Sequence, residues 1–366
     1  MAEEHPDKQP VEELKPPTAS VGVLGWLRTN LFSSWFNSLL TIAILYLLWT
    51  TIPPFIRWAF IDSLWMASGK ECLDADSGAC WSIIPHNIRF IMFGFYPYAD
   101  QWRPGLAVVF LVGLLIYSQF RRNWKKSLLY YWLAGLAVMG LLMKGGLFGL
   151  APVESTQWGG LPLTLLLSVF GLTAAYPLGI LLALGRQTRL PAIRSLCVVY
   201  IELIRGVRLI SLLFMSSVVF PLFLPEGVTV NKILRAQVAI ILFTAAYVPE
   251  VVRGGVQGIA QGQYEAAESL GLNYYQTMRL IILPQALKIV IPPSVSVLIS
   301  AFKDTSLVVI IALYDLLKTT QAVLGNPEWM GFSAEAYIFI ALIYFVCCYY
   351  LSSFSRKIER DLDTGY

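Results

Sequence analysis

The strongest constraint on this chain is a series of apolar stretches, each about 20 residues long and almost free of charged side chains. A stretch of that length spans the hydrocarbon core of a bilayer as an α-helix. Because backbone groups in lipid must bond to one another, and barrel strands would alternate in polarity, continuous apolar runs favour helices. The chain is also 57% hydrophobic and only 14% charged. These features predict an all-α polytopic membrane protein.

The apolar stretches predict eight transmembrane helices. Lys and Arg are concentrated in short loops on the cytoplasmic side of such proteins, and three basic clusters fall on one side of the predicted bundle. They are Arg121, Arg122, Lys125 and Lys126; Arg186, Arg189 and Arg194; and Arg356, Lys357 and Arg360. We therefore expect both termini to be cytoplasmic. The predicted spans are 38–60, 105–120, 128–150, 161–184, 197–224, 235–252, 288–313 and 336–354.

An outer loop at 61–104 contains two cysteines, Cys72 and Cys80, eight positions apart. Disulfides persist in oxidising compartments, so this loop favours a disulfide between them, with two free thiols as the alternative. Cys197, Cys347 and Cys348 fall within spans and are expected to be packing residues. The net charge of +4 is small, and nothing in the sequence suggests a nucleic-acid partner.

A loop of about 35 residues between spans six and seven has readable local structure. The residues around Glu265 favour a short helix, and Gly271 then suits a left-handed helix end. Asn273 can cap a second helix, with Gln276 completing a capping box. Pro284 is expected to interrupt that second helix. The exposed helix would offer carboxylates at Glu265 and Glu268 to a partner, and its small residues Ala266 and Ala267 would permit close approach.

The spacing of this loop resembles the EAA motif of ABC-importer permeases. That motif is Glu-Ala-Ala, three residues, Gly, nine residues, Ile, one residue and Leu-Pro. It is matched without departure by Glu265, Ala266, Ala267, Gly271, Ile281, Leu283 and Pro284. The resemblance implies that the segment is a coupling helix that docks into a groove on an ATPase dimer. The alternative to a coupling helix is an ordinary surface helix.

The chain itself lacks the G-x-x-x-x-G-K-[ST] phosphate loop. We therefore expect it to be a transport subunit rather than an enzyme, with ATP and Mg²⁺ bound by the separate ATPase and no cofactor on this chain. No metal-ligand cluster and no catalytic set is apparent, since the two histidines lie in the N-terminal tail and the outer loop.

Three further segments are similar to signatures of the polar amino-acid permeases, the class for histidine, glutamate, glutamine, arginine and opines. They are ELIRG at 202–206, EVVRGG at 250–255 and KDTSL at 303–307. The long N-terminal region resembles the larger permease subunit of general L-amino-acid importers. The resemblance implies a periplasmic binding protein and a second, unlike permease as partners, in the bacterial inner membrane. The family's usual Pro after R-G is replaced by Val207-Arg208, which leaves the local turn uncertain.

This resemblance divides the chain into four regions: a largely disordered tail at 1–30, an N-terminal extension at 31–150, a type I importer core at 151–355 and a tail at 356–366. The coupling loop occupies 253–288 of the core, which holds the last five helices. The role of the three extra helices is left open, because they could contact the partner permease or support the outer loop.

Ionisable residues inside spans are rare and mark candidate sites. Asp304 is the strongest candidate for substrate contact, and it matches the aspartate of the family's K-D-[ST]-S-L signature. An ion pair with Lys303 or with another helix is the structural alternative. Glu250 is expected to pair with Arg253 or Arg205. Weaker substrate candidates are Lys303, Thr305, Thr173 and Ser216.

Either permease of a pair could hold the substrate site, and the sequence does not choose between them or name the amino acid. The competing function is an ion-coupled secondary transporter, which would need intramembrane carboxylates and inverted repeats. Asp304 supplies one carboxylate, but no repeat of span groups is evident.

Overall fold

The structure is a computed structural model that describes residues 22–75, 78–146, 149–188 and 190–362. Most of the predicted N-terminal tail, together with Arg189 and residues 363–366, lies outside the described residues. The described chain consists of two compact units. The first contains residues up to 67 together with 71–80, and the second contains 68–70 and 81 onward.

The first unit is built around one long apolar helix. Helix α1 (Gly22–Asn30) precedes α2 (Trp35–Ile56), and α2 continues as a π-helical turn at Arg57–Ile61. The side chain of Ser34 caps α2 by accepting from the backbone of Asn37. No side chain of α2 is buried within the chain, as expected for a helix that faces lipid. A disulfide joins Cys72, within the short helix α3 (Gly69–Asp74), to Cys80, the pair that the sequence singled out.

The second unit contains the remaining helices, joined by short turns. They are α4 (Ile83–Phe93), α5 (Trp102–Ser118), α6 (Ser127–Lys144), α7 (Gly160–Gln187), α8 (Pro191–Gly206), α9 (Leu209–Phe214), α10 (Lys232–Ala245), α11 (Val248–Gln257), α12 (Gln261–Ser269), α13 (Tyr274–Gln276), α14 (Leu283–Asp304), α15 (Leu316–Leu324) and α16 (Ser333–Leu362). A two-residue strand at Tyr314–Asp315 makes isolated parallel bridges with Gly159 and Gly160.

The hydrophobic core of this unit extends across the predicted boundary at residue 150. Leu111 of α5 and Met139 of α6 belong to the same buried cluster as Leu167 of α7 and Ile240 of α10. The cluster also includes Phe302 of α14. The second and third predicted spans therefore pack as part of the core rather than as a separate layer.

Seven helical segments among the described residues are long and apolar enough to cross a membrane. An eighth span is counted if one bent helix pair is taken as a single span, and the predicted span at 197–224 is therefore not a continuous helix. Helix α8 and the following segment Leu209–Phe223 meet at an angle of 103°. Val207 and Arg208 at the bend both have extended backbone, with ψ of 142° and 147°. Two extended residues break the helical hydrogen-bond ladder, so the turn forms although the usual proline is missing.

The third predicted span, 128–150, is also shorter than expected. Helix α6 ends at Lys144 because Gly145 and Gly146 have φ of 67° and 82°, a left-handed conformation that ends helices and that glycine adopts without strain. Lys144 is exposed at this helix end.

The strand at Tyr314–Asp315 places a carboxylate in the interior. Asp315 is completely buried and caps α15 by accepting from the backbone N–H of Lys318 at 2.9 Å. Burial raises the pKa of Asp315 to about 6, because the charged form loses its solvation there.

Candidate functional site

The EAA segment forms an exposed helix at one end of the second unit, called below the α12 end. Glu265, Ala266 and Glu268 are exposed on α12, as the docking hypothesis requires. Ala267 is completely buried, with 0% of its surface exposed. The interpretation that both alanines face a partner was therefore wrong for Ala267. Positions one residue apart on a helix point in different directions, so Ala267 packs inward while Ala266 stays outside.

The turn after α12 has the predicted geometry. Gly271 adopts φ of 70° and ends the helix. The side chain of Asn273 then accepts from the backbone N–H of Gln276 at 2.9 Å, and the side chain of Gln276 accepts from the backbone N–H of Asn273 at 3.0 Å. This is the predicted capping box. Together these features fix the angle between α12 and the helix that follows it.

The predicted interruption at Pro284 lies one turn earlier than expected. A π-helical segment spans Thr277–Ile282, and α14 begins at Leu283 with Pro284 in its first turn. Proline is tolerated there because an amide N–H in the first turn has no helical partner. The wider π turn absorbs the irregularity instead. The amide of Gln285 also donates to the side chain of Gln263 at 3.0 Å, which links α14 to α12.

Three apolar side chains extend the exposed surface of the coupling segment. Leu270, Tyr274 and Tyr275 are all largely exposed around the turn at Gly271. Aromatic residues of this kind are enriched at protein interfaces. The sequence analysis did not select them, although a Tyr-Tyr pair directly after a capping Asn in a polar loop is a usable signal.

Asp304 lies in a cavity of about 360 Å³ between α14 and the junction of α10 with α11. Ser296, Ser300 and Asp304 are spaced four residues apart, so they share one face of α14, and all three line the cavity. The opposite wall includes Thr244 and Tyr247. The cavity thus presents one carboxylate and several hydroxyl groups, which is suitable for a small polar ligand.

The sixth span, Lys232–Gln257, is interrupted beside this cavity by a two-residue turn at Ala246 and Tyr247, which the sequence analysis missed. Helix α10 ends at Ala245 and α11 begins at Val248 with Pro249 in its first turn. The amides of Ala246 and Tyr247 form tightened bonds three residues back, to Phe243 and Thr244.

The hydroxyl group of Thr244, beside this turn, is buried and unpaired in the described part of the chain. Its side chain is only 3% exposed, and within the described residues its hydroxyl has no hydrogen-bond partner. An unpaired buried polar group costs stability, so it calls for a partner such as a ligand or ordered water. Pro249 was the available sequence signal for this turn.

The other predicted substrate residues do not line the cavity. Lys303 is exposed beside it, and no ion pair between Lys303 and Asp304 occurs in the described part of the chain. Thr305 is completely buried and donates to the carbonyl of Phe302 at 2.7 Å. The other two candidates lie elsewhere. Thr173 lines a surface pocket with Trp124, and the hydroxyl of Ser216 donates to the carbonyl of Leu213.

Glu250 is the centre of an ion cluster that joins two of the signature segments. It contacts Arg253 at 2.6 Å and Arg205 at 3.4 Å, the two partners predicted from the sequence. It also contacts Arg186 of α7 at 2.6 Å, a partner that the sequence did not suggest. One half-buried carboxylate therefore holds guanidinium groups from α7, α8 and α11.

Tyr247 lies between this cluster and the cavity. The guanidinium of Arg205 is 5.8 Å from the centre of its ring, within range for a cation–π contact, and the same residue lines the cavity of Asp304. Tyr247 therefore contacts a member of the Glu250 cluster and also lines the cavity. Within the described ranges, no group of three or more His, Cys, Asp or Glu side chains could hold a metal ion.

Comparison with known proteins agrees with this arrangement. The family model described as "Binding-protein-dependent transport system inner membrane component" matches residues 175–364, which include the coupling segment, the cavity and the Glu250 cluster. The chain belongs to this family. This permease is therefore a multi-pass inner-membrane subunit of ABC importers, a family whose members work with an ATPase and a binding protein. The family has no catalytic site of its own, as predicted.

Full-length relatives extend the likeness to the N-terminal helices. The permease is 48% identical, over 93% of each chain, to the inner membrane amino-acid ABC transporter permease protein YhdY of Escherichia coli (strain K12). It is 37% identical to the glutamate/glutamine/aspartate/asparagine transport system permease protein BztC of Rhodobacter capsulatus, over 94% of this chain and 95% of the relative. The family assignment favours an ATP-driven importer over an ion-coupled transporter.

A solved structure supports the fold of the core. A chain from the crystal structure of an amino acid ABC transporter with histidines is 30% identical and has a TM-score of 0.51. The match covers 55% of this permease and 92% of that chain. The all-α importer core predicted from the sequence is thereby confirmed.

Proposed function

We propose that this permease forms part of an ATP-driven importer of polar L-amino acids. The observation that supports it most is the similarity to two amino-acid permeases over more than nine-tenths of this chain. The substrates in those names belong to those relatives, and the cavity of Asp304 supplies a physical basis for a similar substrate here.

In this proposal the cavity of Asp304 receives the amino acid during transport. The Asp304 carboxylate accepts hydrogen bonds from the substrate ammonium group, and the unpartnered hydroxyl of Thr244 bonds a second polar group. A charge-assisted hydrogen bond of this kind contributes about 1.5–3 kcal/mol. Ser296 and Ser300 line the same wall and complete a polar surface in an apolar span.

Coupling occurs at the α12 end, which we place in the cytoplasm together with both termini. The exposed face of Glu265, Ala266 and Glu268 docks on a dimer of ATPase subunits, which bind ATP and Mg²⁺. Closure of that dimer moves α12, and the capped turn at Gly271 transmits the movement to α14 and Asp304. A second, unlike permease and a periplasmic binding protein complete the complex, and ATP shifts its population between two states.

The test uses the reconstituted complex with its ATPase, partner permease and binding protein. We expect Asp304→Asn to reduce the amino-acid-stimulated rate of ATP hydrolysis by about tenfold or more. Lys303→Gln is the matched control, because this neighbouring charge does not line the cavity. Normal stimulation of ATP hydrolysis and normal uptake with Asp304→Asn would show that Asp304 does not contact the substrate during transport.

A further inference from the structure

A basic crevice at the α12 end lies apart from the cavity of Asp304. It has a volume of about 620 Å³ and lies among the end of α7, the inner face of α8 and α11. Three arginines, Arg186, Arg194 and Arg253, line it together with the amides of Gln187 and Gln257, and none of the lining residues is acidic. A concave surface of this composition attracts anions.

The positive charge of the crevice is only partly neutralised by the protein. Among the described residues, four arginines lie in or beside the crevice: the three that line it and Arg205. Only two carboxylates contact these arginines. Glu250 is shared by three guanidinium groups. The other carboxylate, Glu202, is 60% exposed and lies 4.0 Å from Arg186. Four positive and two negative charges leave a local excess of two positive charges.

Among the three arginines that line the crevice, Arg194 is the one whose guanidinium group is available to a ligand. It is exposed, and it makes no ion pair within the described part of the chain. By contrast, Arg186 and Arg253 are oriented by their bonds to Glu250, both at 2.6 Å. The crevice thus combines two fixed guanidinium groups with one that can close on a ligand, and guanidinium geometry suits the paired oxygens of phosphate.

The geometry points to a phosphate-binding site in this crevice, occupied by the headgroup of an anionic membrane lipid or by free phosphate. The location favours the lipid. Leu196, Val199 and Leu203 form an exposed apolar stripe on α8, on the face opposite Arg194 and Val198. A helix with a basic face and an apolar face lies at the membrane surface, where basic pockets between spans bind anionic headgroups.

The test compares the two sources of phosphate directly, with the full chain assembled in its complex. Retention of phosphatidylglycerol is measured by native mass spectrometry after release from nanodiscs of phosphatidylglycerol and phosphatidylcholine. In a second arm, inorganic phosphate is titrated and the thermal unfolding midpoint is recorded. Arg194→Ala should weaken binding about fivefold in the arm that reports the true source. Arg360→Ala, an exposed arginine outside the crevice, should have no effect.

Loss of retained phosphatidylglycerol with Arg194→Ala alone identifies a lipid headgroup. Loss of the phosphate-dependent shift with Arg194→Ala alone identifies free phosphate. Equal lipid retention and equal phosphate response in the wild type, Arg194→Ala and Arg360→Ala would overturn the proposal. Because Arg194 bonds to no carboxylate of the described chain, its substitution leaves the Glu250 cluster in place.

Discussion

The turn at Gly271 offers the sharpest test of how the coupling helix is held. Gly271 has φ of 70°, and a Cβ added there would meet no atom within 4 Å. A side chain at this position therefore creates no clash, and any effect of substitution comes from the backbone conformation alone. We consider three variants: Gly271→Asn, Gly271→Ala and Gly271→Val.

The left-handed conformation costs L-residues about 1–2 kcal/mol, and asparagine is the residue that tolerates it best after glycine. We expect alanine to lie at the lower end of this range and valine, whose branched side chain is stiff, at the upper end. If only the left-handed turn places α12 for docking, a bias of about 1–2 kcal/mol lowers the affinity for the ATPase about 5–30-fold. Asparagine should stay close to glycine.

The assay is the affinity of detergent-solubilised permease for its ATPase subunit, followed by uptake in proteoliposomes. The expected order of affinity is Gly, Asn, Ala and then Val, with uptake falling in the same order. The unfolding midpoint of the permease core should barely change, because the turn is exposed. A valine variant that binds like the wild type, or an asparagine variant as poor as valine, would refute the role of the left-handed turn.

Two further predictions concern charges outside the coupling segment. Glu250→Gln leaves three guanidinium groups facing one another and should destabilise the permease by about 1–2 kcal/mol in thermal unfolding, whereas Glu202→Gln should be nearly neutral; equal effects would contradict the cluster. The pKa of Asp315 is about 6 in the folded protein and about 3.9 in the unfolded chain. The folded state therefore binds the proton more tightly. As a result, about 3 kcal/mol of stability is lost as pH rises from about 4 through about 6. Asp315→Asn keeps the cap of α15 and stays uncharged, so it should raise the unfolding midpoint at pH above about 7 and flatten this pH dependence; an unchanged slope would show that Asp315 ionises freely.

The features that the sequence predicted are those encoded locally. Gly271 and the pair Asn273 and Gln276 determine their turn and cap through contacts at most a few residues apart. The apolar spans follow from length and composition, and the spacing of the EAA segment predicts a docking helix. The disulfide loop of Cys72 and Cys80 is equally short.

Features that depend on packing could not be predicted in this way. Arg186 reaches Glu250 across 64 positions of the chain, and only the packing of α7 against α11 brings them together. The inward orientation of Ala267 depends on how α12 sits on its neighbours. The bend at Val207 and Arg208 has no proline or glycine at the two extended residues, so composition alone does not indicate it.

The cavity of Asp304 combines both kinds of information. The regular spacing of Ser296, Ser300 and Asp304 is visible in the sequence, whereas the opposite wall is not. Thr244 and Tyr247 line that wall at the turn between α10 and α11. Thr173 and Ser216 were selected because they are polar residues in spans, and hydroxyl groups there commonly bond to helix carbonyls instead.

The most direct test of the account measures uptake and ATP hydrolysis together in proteoliposomes that contain the whole complex. Glu265→Lys reverses the charge of the exposed docking face, and Glu359→Lys, an exposed site on α16, is the matched control. We predict that Glu265→Lys lowers the number of amino acids imported per ATP about tenfold or more, while Glu359→Lys has no effect. Unchanged uptake per ATP with Glu265→Lys, or uptake by the purified chain without any ATPase, would contradict the account.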